Sequence, residues 1–294
     1  MGGAAVWRFD AIGTHWQIET SEPLDQSVHA EIDGLIDGFD AEWSRFRGDS
    51  LVSSLARDGG SAPAPRDTGA MLDAYAELSD ATDGAVNPLV GASLARRGYD
   101  AALSLVDRGA VPAPADWRAR VTWHDGWLAL TEPALLDVGA LGKGMLVDRV
   151  MRVVAGATSG DIVVDASGDL AVRGTPQRIG LEHPFDTRRA IGVWEVMDAA
   201  LCASATNRRA WGDGLHHVLD ARTGMPVRTM AATWAVADSA IRADAIATAL
   251  FFDGGPRLAH EWGVEWVRMT TDGRVEWSPG CRAELFVRAT SVEQ

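Results

Sequence analysis

The chain has 294 residues, of which 47% are hydrophobic and 23% are charged, and its net charge at pH 7 is -14. This composition is that of a globular protein with ample apolar residues for a core, and such an acidic chain repels nucleic acids and anionic membranes. An anionic ligand therefore needs a local positive group or a metal ion. No apolar run reaches the roughly 20 residues of a membrane span, and no signal peptide is recognisable, so we expect a cytoplasmic protein.

The first part of the chain predicts alternating strands and helices. Residues 6–18 predict a strand pair broken at Gly13, and residues 31–46 place apolar side chains on one face of a helix. The Gly- and Pro-rich residues 59–65 predict a loop. Asp67 then stands where its side chain can cap the next helix, as short polar side chains do at helix N-termini.

A second pattern surrounds Lys143, the only lysine in the sequence. A hairpin signal at Asp125-Gly126 precedes an apolar run that ends at Asp137, and a Gly-rich turn then leads into a predicted helix over residues 141–154. A Gly-rich turn between a strand and a helix leaves backbone N–H groups free at the positive end of the helix dipole. We therefore expect this strand–turn–helix to bind a phosphate-bearing ligand.

The second half of the chain is dominated by predicted strands. Hairpin signals recur, a helix over residues 239–252 has Asp238 in the capping position, and residues 284–288 predict a final strand. Hairpins with interspersed helices favour an α+β fold with mostly antiparallel sheets over a doubly wound parallel fold.

The two cysteines, Cys202 and Cys281, lack a metal-type spacing and predict free thiols in a reducing compartment.

One helix predicts a metal site. Asp244 and Thr248 are four residues apart, so their oxygens lie on the same face of the helix, one turn apart. A carboxylate and a hydroxyl among alanines suit a hard cation such as Mg²⁺, which takes one or two protein carboxylates and fills its other positions with water and phosphate. The alternative is a helix whose polar edge faces solvent.

Two adjacent histidines, His216 and His217, stand on a predicted strand. Neighbouring side chains on a strand point to opposite faces, so at most one of the two can face a site. That histidine could relay a proton or bind a phosphate oxygen, or it could be a hydrogen-bonded strand histidine.

Phe46 could stack on an aromatic ligand or belong to the core, and residues 82–88 form a turn that could approach a flat ligand.

Taken in order, these segments resemble the ApbE family of FAD:protein FMN transferases over nearly the whole chain. No single segment is decisive, but their order is highly specific. The segments that carry the resemblance include Gly13-Thr14-His15-Trp16, Ser44-Arg45-Phe46-Arg47, Thr82-Asp83-Gly84-Ala85-Val86-Asn87-Pro88 before Gly98-Tyr99-Asp100, Leu136-Asp137-Val138-Gly139-Ala140 with Gly142-Lys143-Gly144, Ser167-Gly168-Asp169-Leu170, His217-Val218-Leu219-Asp220 and Ala243-Asp244-Ala245 with Ala247-Thr248-Ala249-Leu250.

The resemblance implies a single ApbE-like domain over residues 1–294, composed of two interleaved subdomains, and an enzyme that binds FAD and Mg²⁺. The family cleaves the FAD pyrophosphate, joins FMN to a threonine or serine hydroxyl of an acceptor protein and releases AMP. The sequence contains no acceptor-type Asp-x-x-Ser/Thr-Gly/Ala-Thr segment. We therefore expect this chain to be the enzyme and not its own substrate.

The resemblance also implies the roles of individual residues. The metal ligands would be the main-chain carbonyl of Ala140 and the side chains of Asp244 and Thr248. The chemistry of the step, rather than the resemblance, requires a base for the acceptor hydroxyl, which could be Asp244 near the metal or His217. The contacts to the flavin nucleotide would be Ile12, Phe46, Ala85, Val86, Asn87, Asp137, Lys143 and Leu219.

Two other functions are compatible with the same residues. If water replaced the acceptor hydroxyl, the protein would be an FAD pyrophosphatase that gives FMN and AMP. If FAD were retained without turnover, the protein would be a flavin-binding carrier. Release of AMP with and without an acceptor distinguishes these three functions.

Overall fold

The computed structural model describes residues 4–286 of the chain. Within this range the helices are α1 (Gln26–Trp43), α2 (Leu51–Asp58), α3 (Thr68–Ala81), α4 (Gly91–Arg96), α5 (Trp117–Arg120), α6 (Gly142–Ala157), α7 (Ala240–Ala249) and α8 (Gly255–Glu261). The strands are β1 (Ala5–Ala11), β2 (Thr14–Thr20), β3 (Gly60–Pro63), β4 (Val121–His124), β5 (Trp127–Leu130), β6 (Ile162–Asp165), β7 (Asp169–Arg173), β8 (Gln177–Glu182), β9 (Ala190–Val196), β10 (Ala199–Ala205), β11 (Ala210–Trp211), β12 (Leu215–His216), β13 (Leu219–Asp220), β14 (Met225–Pro226), β15 (Met230–Ala237), β16 (Glu265–Thr270), β17 (Val275–Trp277) and β18 (Glu284–Leu285).

Eight strands form the central sheet, in the order β1-β2-β6-β7-β10-β15-β16-β17, and every neighbouring pair is antiparallel. The strand β15 is buried along its whole length. Ala235 and Ala237 belong to the main core beneath the helices, whereas Trp234 and Val236 belong to a second apolar cluster. Since side chains alternate between the two faces of a strand, both faces of the sheet are covered.

Helices cover one face of the central sheet and a smaller sheet covers the other. Helix α6 contacts strands β6 and β7, helix α7 contacts β7, β10 and β15, the two helices contact each other, and α1 packs on α6. The three-stranded sheet β18-β9-β8 supplies Trp194 and Leu181 to the second cluster. The predicted α+β fold with mostly antiparallel sheets is therefore confirmed. No helix within the described range is long and apolar enough to cross a membrane.

Helices α6 and α7 approach each other so closely that Gly144 has no room for a side chain. A Cβ atom at this position would lie 2.3 Å from the carbonyl oxygen of Ala240 and 2.7 Å from the Cβ of Asp244. One turn farther along α6, the Asp148 carboxylate accepts hydrogen bonds from the N–H groups of Ala240 and Ile241, at 2.8 and 2.9 Å. Helix α7 is thus capped by α6, and the two helices form one rigid pair.

Three local predictions were wrong because tertiary contacts replaced the expected local ones. The N-cap position of α7 is Ser239 and not Asp238, and the capping carboxylate comes from α6. Among the described residues Asp67 makes no capping hydrogen bond to α3, and its carboxylate lies 3.3 Å from the Nε of Arg149 instead. Residues 60–63 of the predicted loop form β3, since β5 offers them a partner strand.

The apolar run before Asp137 is not a strand. The backbone over residues 133–138 is irregular, and the N–H of Asp137 donates to the carbonyl oxygen of Pro88 at 2.8 Å. One hydrogen bond to a neighbouring loop thus replaces the ladder that a strand would form. Of the predicted final strand, only Glu284–Leu285 is observed as β18, and Arg288 lies outside the described residues.

Candidate active site

The predicted metal ligands lie together at the N-terminal end of α6. The Oγ1 of Thr248 donates a hydrogen bond to the carbonyl oxygen of Ala140 at 3.1 Å. The Oδ2 of Asp244 accepts one from the N–H of Gly144 at 2.9 Å, across 100 positions of the sequence. The fold therefore gathers a carbonyl, a hydroxyl and a carboxylate, which are the oxygen groups that hard cations prefer.

This site depends on a single acidic side chain and two uncharged oxygens. Over residues 4–286 there is no group of three or more His, Cys, Asp or Glu side chains suited to a metal ion. Asp244 is 4% exposed. Burial, and then the neighbouring Asp169 carboxylate, raise the pKa of Asp244 well above its ordinary value. A cation bound here would favour the charged carboxylate and reverse that shift.

Lys143 brings a positive charge to the same place. Its Nζ lies 2.8 Å from the Oδ2 of Asp169 and donates a hydrogen bond of 3.4 Å to the carbonyl oxygen of Ala166. Burial lowers the pKa of Lys143, but the carboxylates of Asp169 and Asp244 outweigh that effect and raise it above its ordinary value. The side chain is therefore an ammonium at pH 7.

The turn before α6 is not the free phosphate cradle that the sequence predicted. The N–H of Gly142 donates to the carbonyl oxygen of Val138 at 2.7 Å, and the N–H of Gly144 donates to Asp244. Two of the N–H groups that a helix N-terminus leaves free are thus already bonded, and the positive end of the helix dipole faces a carboxylate of the protein itself. The group that could attract a phosphate here is the Lys143 ammonium.

The two neighbouring histidines differ in their hydrogen bonding. The Nε2 of His216 is 2.8 Å from the carbonyl oxygen of Val227, and its Nδ1 accepts from the N–H of Val218 at 3.3 Å. The Nδ1 of His217 is buried and has no hydrogen-bond partner in the described part of the chain. Burial, and then the charge of Arg209, lower the pKa of His217 to about 3. His216 is thus held by the fold, and His217 keeps a neutral ring with an unbonded nitrogen.

Phe46 belongs to an aromatic cluster that the sequence did not reveal. Its ring meets Tyr99 edge-on, with centroids 5.2 Å apart, and Tyr99 stacks on Trp211 at 5.6 Å. The Arg45 guanidinium lies 4.2 Å from the centre of the Phe46 ring and forms an ion pair with Asp137. Because Phe46 is 37% exposed, part of its ring remains available to a ligand.

Two neighbouring loops carry most of the other predicted nucleotide contacts. The segment Ala85–Asn87 is buried, and so is Leu219. The loops are tied together because the N–H of Ala221 donates to the carbonyl oxygen of Ala85 at 3.0 Å. The pairing of Leu219 with Pro226 in the short sheet β13-β14 fixes the second loop. The fold therefore brings these two predicted segments side by side.

The side chain of Asn87 is engaged within the fold. Its Nδ2 donates to the carbonyl oxygen of Pro114 at 2.9 Å, and its Oδ1 accepts from the N–H of Leu89 at 2.8 Å. Asn87 itself is 3% exposed. The amide thus fixes the turn before α4 and has its donor and acceptor engaged within the fold.

Ile12 forms the turn between β1 and β2, with a φ of 45°. A β-branched residue seldom adopts this left-handed conformation, so the turn is a strained point of the backbone. The hairpin is anchored to the loop after β6, since the Oγ of Ser167 donates to the carbonyl oxygen of His15 at 2.7 Å. The same loop provides Ala166, whose carbonyl accepts from Lys143. One loop therefore links Ile12 to the charged part of the site.

Sequence reasoning missed three residues that the structure places at this site. Arg45, Tyr99 and Asp169 contact the predicted residues Phe46 and Lys143 directly. All three stand inside segments that carried the family resemblance. An arginine beside an aromatic residue, and an acidic residue in a Ser-Gly-Asp turn, were the available signals, but neither pattern specifies its partner.

The sequence model of the ApbE family matches residues 12–267. The chain belongs to the ApbE family. A relative named FAD:protein FMN transferase from Treponema pallidum (strain Nichols) is 28% identical over 298 residues, covering 86% of this chain and 80% of its own length. A protein of the same name from Rhodobacter capsulatus is 32% identical over 174 residues, which cover 53% of this chain and only 32% of that protein.

Solved structures of ApbE proteins share the fold. The Thermotoga maritima ApbE protein superposes with a TM-score of 0.80 at 22% identity, covering 94% of this chain and 97% of its own. The flavin transferase ApbE from Vibrio cholerae superposes with a TM-score of 0.78 at 21% identity, with the same coverage of both chains. The fold described above is therefore shared with these solved ApbE structures over 94% of this chain.

Proposed function

We propose that the protein transfers FMN from FAD to a serine or threonine hydroxyl of an acceptor protein, with Mg²⁺ bound and with release of AMP. The observation that carries this proposal is the meeting of Ala140, Asp244 and Thr248 at the N-terminal end of α6. Relatives named FAD:protein FMN transferases support the same reaction.

The oxygens present at this site suit Mg²⁺. The carbonyl oxygen of Ala140 and the Oγ1 of Thr248 are 3.1 Å apart. Both would hold the ion as uncharged oxygen ligands, which Mg²⁺ accepts beside a carboxylate. Asp244 would provide the carboxylate, and a cation would offset the burial and the Asp169 charge that raise the pKa of this carboxyl.

The reaction would proceed by attack of the acceptor hydroxyl oxygen on the phosphorus of the FMN half of FAD. A new P–O bond forms, the bond from this phosphorus to the bridging oxygen breaks, and AMP leaves with that oxygen. A bound Mg²⁺ would neutralise charge on the pyrophosphate oxygens. Lys143 would add its ammonium to that neutralisation, and the ring nitrogen of His217 other than the buried Nδ1 would take the hydroxyl proton.

His217 becomes a stronger base when the substrate is present. Without a ligand its pKa of about 3 makes it neutral at pH 7 but a weak proton acceptor. An anionic pyrophosphate beside the ring would favour the imidazolium and raise the pKa towards the ordinary value of 6.5. A base with a pKa near the working pH is the more effective one, so FAD binding would prepare the site for proton transfer.

The aromatic cluster would hold the other end of FAD. The exposed part of the Phe46 ring offers a surface on which the isoalloxazine can stack. Arg45 and Tyr99 fix the orientation of that ring from the protein side. The flavin would therefore be held by loops, while its pyrophosphate lies at the two helices.

The proposal is tested with purified protein, FAD and MgCl₂, with and without an acceptor protein that carries an Asp-x-x-Thr-Gly-Thr segment. We expect AMP to appear only with the acceptor, and the acceptor to gain the mass of FMN. The matched control is the same acceptor with alanine in place of its flavin-accepting threonine. EDTA should abolish AMP release.

Two outcomes would contradict transfer and favour another function. Release of AMP at the same rate without an acceptor would identify an FAD pyrophosphatase. Bound FAD with no AMP under any condition would identify a carrier. Activity that persists in EDTA would refute the metal assignment while leaving transfer itself intact.

A further inference from the structure

Asp169 is a buried carboxylate to which no role in the reaction has so far been assigned. It begins strand β7 and stands opposite Cys202 on β10. Its side chain is 1% exposed, and neither of its oxygens accepts a well-formed hydrogen bond from a described residue. A charged group in such a place is costly unless it is paired, and Lys143 provides the pairing charge at 2.8 Å.

Lys143 uses only part of its hydrogen-bonding capacity in this pairing. An ammonium has three donors, and the one hydrogen bond it makes to a described residue is that to the carbonyl oxygen of Ala166, while its contact with Asp169 is an ion pair. The lysine side chain retains 24% exposure, whereas Asp169 retains 1%. The ion pair therefore joins a fully buried carboxylate to a lysine side chain that keeps part of its surface accessible.

We infer that Asp169 is a positioning residue that holds the Lys143 ammonium in place for the FAD pyrophosphate. The inference rests on the proposed function for the identity of the ligand. A free lysine side chain loses about 2 kcal/mol of rotamer entropy when it is fixed. The ion pair with Asp169 fixes the side chain when the protein folds. This rotamer entropy is therefore not lost again when FAD binds, because the ammonium is already oriented.

The chain offers an unusually direct test because Lys143 is its only lysine. In protein labelled with ¹³C,¹⁵N-lysine, the NMR signal of the side-chain ammonium comes from Lys143 alone, and its relaxation reports the mobility of this group. We expect a rigid signal without ligand, and a change in its chemical shift when FAD is added. In Asp169→Asn the signal should become mobile, as in a solvent-exposed lysine. A mobile signal in the unmodified protein would overturn the inference.

A double-mutant cycle gives the second readout. FAD affinity is measured by flavin fluorescence for the unmodified protein, Asp169→Asn, Lys143→Ala and the double variant. We expect Asp169→Asn to weaken FAD binding about 10- to 100-fold, as substitutions behind a ligand-binding group often do. In the Lys143→Ala background the same change should weaken binding less than about twofold, because the group that Asp169 positions is gone.

The matched control is Cys202→Ala, which alters a neighbour in the same buried place without removing a charge. Its FAD affinity should remain within about twofold of the unmodified protein. Equal losses from Asp169→Asn in both backgrounds would show that Asp169 acts independently of Lys143 and would refute the inference.

If Asp169→Asn does not fold, the relaxation of the Lys143 signal in the unmodified protein still decides whether the ammonium is held. If the unmodified protein binds no FAD, the proposed function fails while the ion pair can still be confirmed. If the Lys143 signal is rigid but its chemical shift does not change when FAD binds, the positioning role of Asp169 is refuted, while the ion pair itself is confirmed.

Discussion

The two sides of the candidate site are built in different ways. The helix side, which we define as Ala140, Lys143, Asp244 and Thr248, lies where α6 meets α7, and each of its polar groups contacts another group of the protein. The aromatic side, which we define as Arg45, Phe46, Tyr99 and Trp211, is carried by loops and short strands and keeps an exposed ring.

Because of this difference in construction, we expect one side to govern the reaction rate and the other to govern FAD affinity. Charges and metal ligands must be held within a fraction of an ångström of their working positions, and packed helices provide that rigidity. A ring that stacks on a flavin tolerates small shifts, so loops are sufficient to carry it. We therefore expect substitutions on the helix side to lower the rate of the reaction and those on the aromatic side to weaken binding.

The largest effect should come from Asp244→Asn. The amide can still accept the hydrogen bond from Gly144, but the charge that would hold Mg²⁺ is lost. We expect AMP release in the presence of an acceptor to fall about 10³-fold, because metal-based charge stabilisation is worth several kcal/mol. The control is Asp238→Asn, whose side chain is 75% exposed just before the same helix. An active Asp244→Asn enzyme would place the metal elsewhere.

The next effect should come from His217→Gln. Loss of the base should slow transfer about 10²-fold while FAD affinity changes little. His216→Gln is the contrasting variant, because His216 is bonded through both ring nitrogens and its loss should lower the melting temperature instead. Both variants are compared by AMP release and thermal unfolding. Equal rate losses in the two variants would remove the distinction between them.

His217 also predicts a pH dependence of stability. Its pKa is about 3 in the folded chain and 6.5 when unperturbed, so between these values the unfolded chain binds more protons. The free energy of unfolding should therefore fall as the pH is lowered from 6.5 towards 3, and fall less steeply in His217→Gln. Urea unfolding at several pH values measures both slopes. Parallel slopes in the two proteins would show that His217 is not buried as a neutral ring.

Gly144→Ala should have an intermediate effect, on the joint between the helices. The added methyl group would collide with the carbonyl of Ala240 and with Asp244. We therefore expect the free energy of unfolding to fall by about 1–3 kcal/mol. Gly156→Ala is the matched control, because among the described residues an added Cβ there would meet no atom within 4 Å beyond its chain neighbours and the backbone of its own helix, and alanine favours a helix by about 0.5–1 kcal/mol. Thermal or urea unfolding of both variants measures the difference, and a stabilised Gly144→Ala protein would contradict the close approach.

The smallest effect should come from Phe46→Ala on the aromatic side. Loss of one stacking ring is worth about 1 kcal/mol, so the dissociation constant for FAD should rise about fivefold with little change in kcat. Phe185→Ala is the control, since that ring is 59% exposed. Flavin fluorescence gives the affinities. A loss of kcat at saturating FAD would show that the aromatic side also serves the chemistry.

The sequence predicted those parts of the site whose residues lie on one element. The spacing of Asp244 and Thr248 on one helix was enough to place both oxygens on one face. The family resemblance named the Ala140 carbonyl, and the structure shows that Thr248 is hydrogen-bonded to it. Alternating patterns and hairpin signals likewise predicted the antiparallel strands. Such local periodicities survive because packing reinforces them.

The contacts between distant segments could not be predicted from one sequence. Nothing in the residues near Asp148 indicates that it caps α7, and nothing near Asp169 indicates that its partner is Lys143. The apolar run before Asp137 failed as a strand for the same reason, because its backbone found a loop partner instead of a sheet. In each case a tertiary hydrogen bond or ion pair outweighed the local preference.

The hydrogen bond between Gly144 and Asp244 joins positions 100 residues apart. During synthesis α6 leaves the ribosome long before α7, and a nascent chain that ends between the two helices cannot complete the oxygen set. Under the proposed function, Mg²⁺ and FAD then bind only the finished chain and stabilise it by mass action. The flavin-loaded fraction of a preparation would thus report how much of the protein has matured correctly.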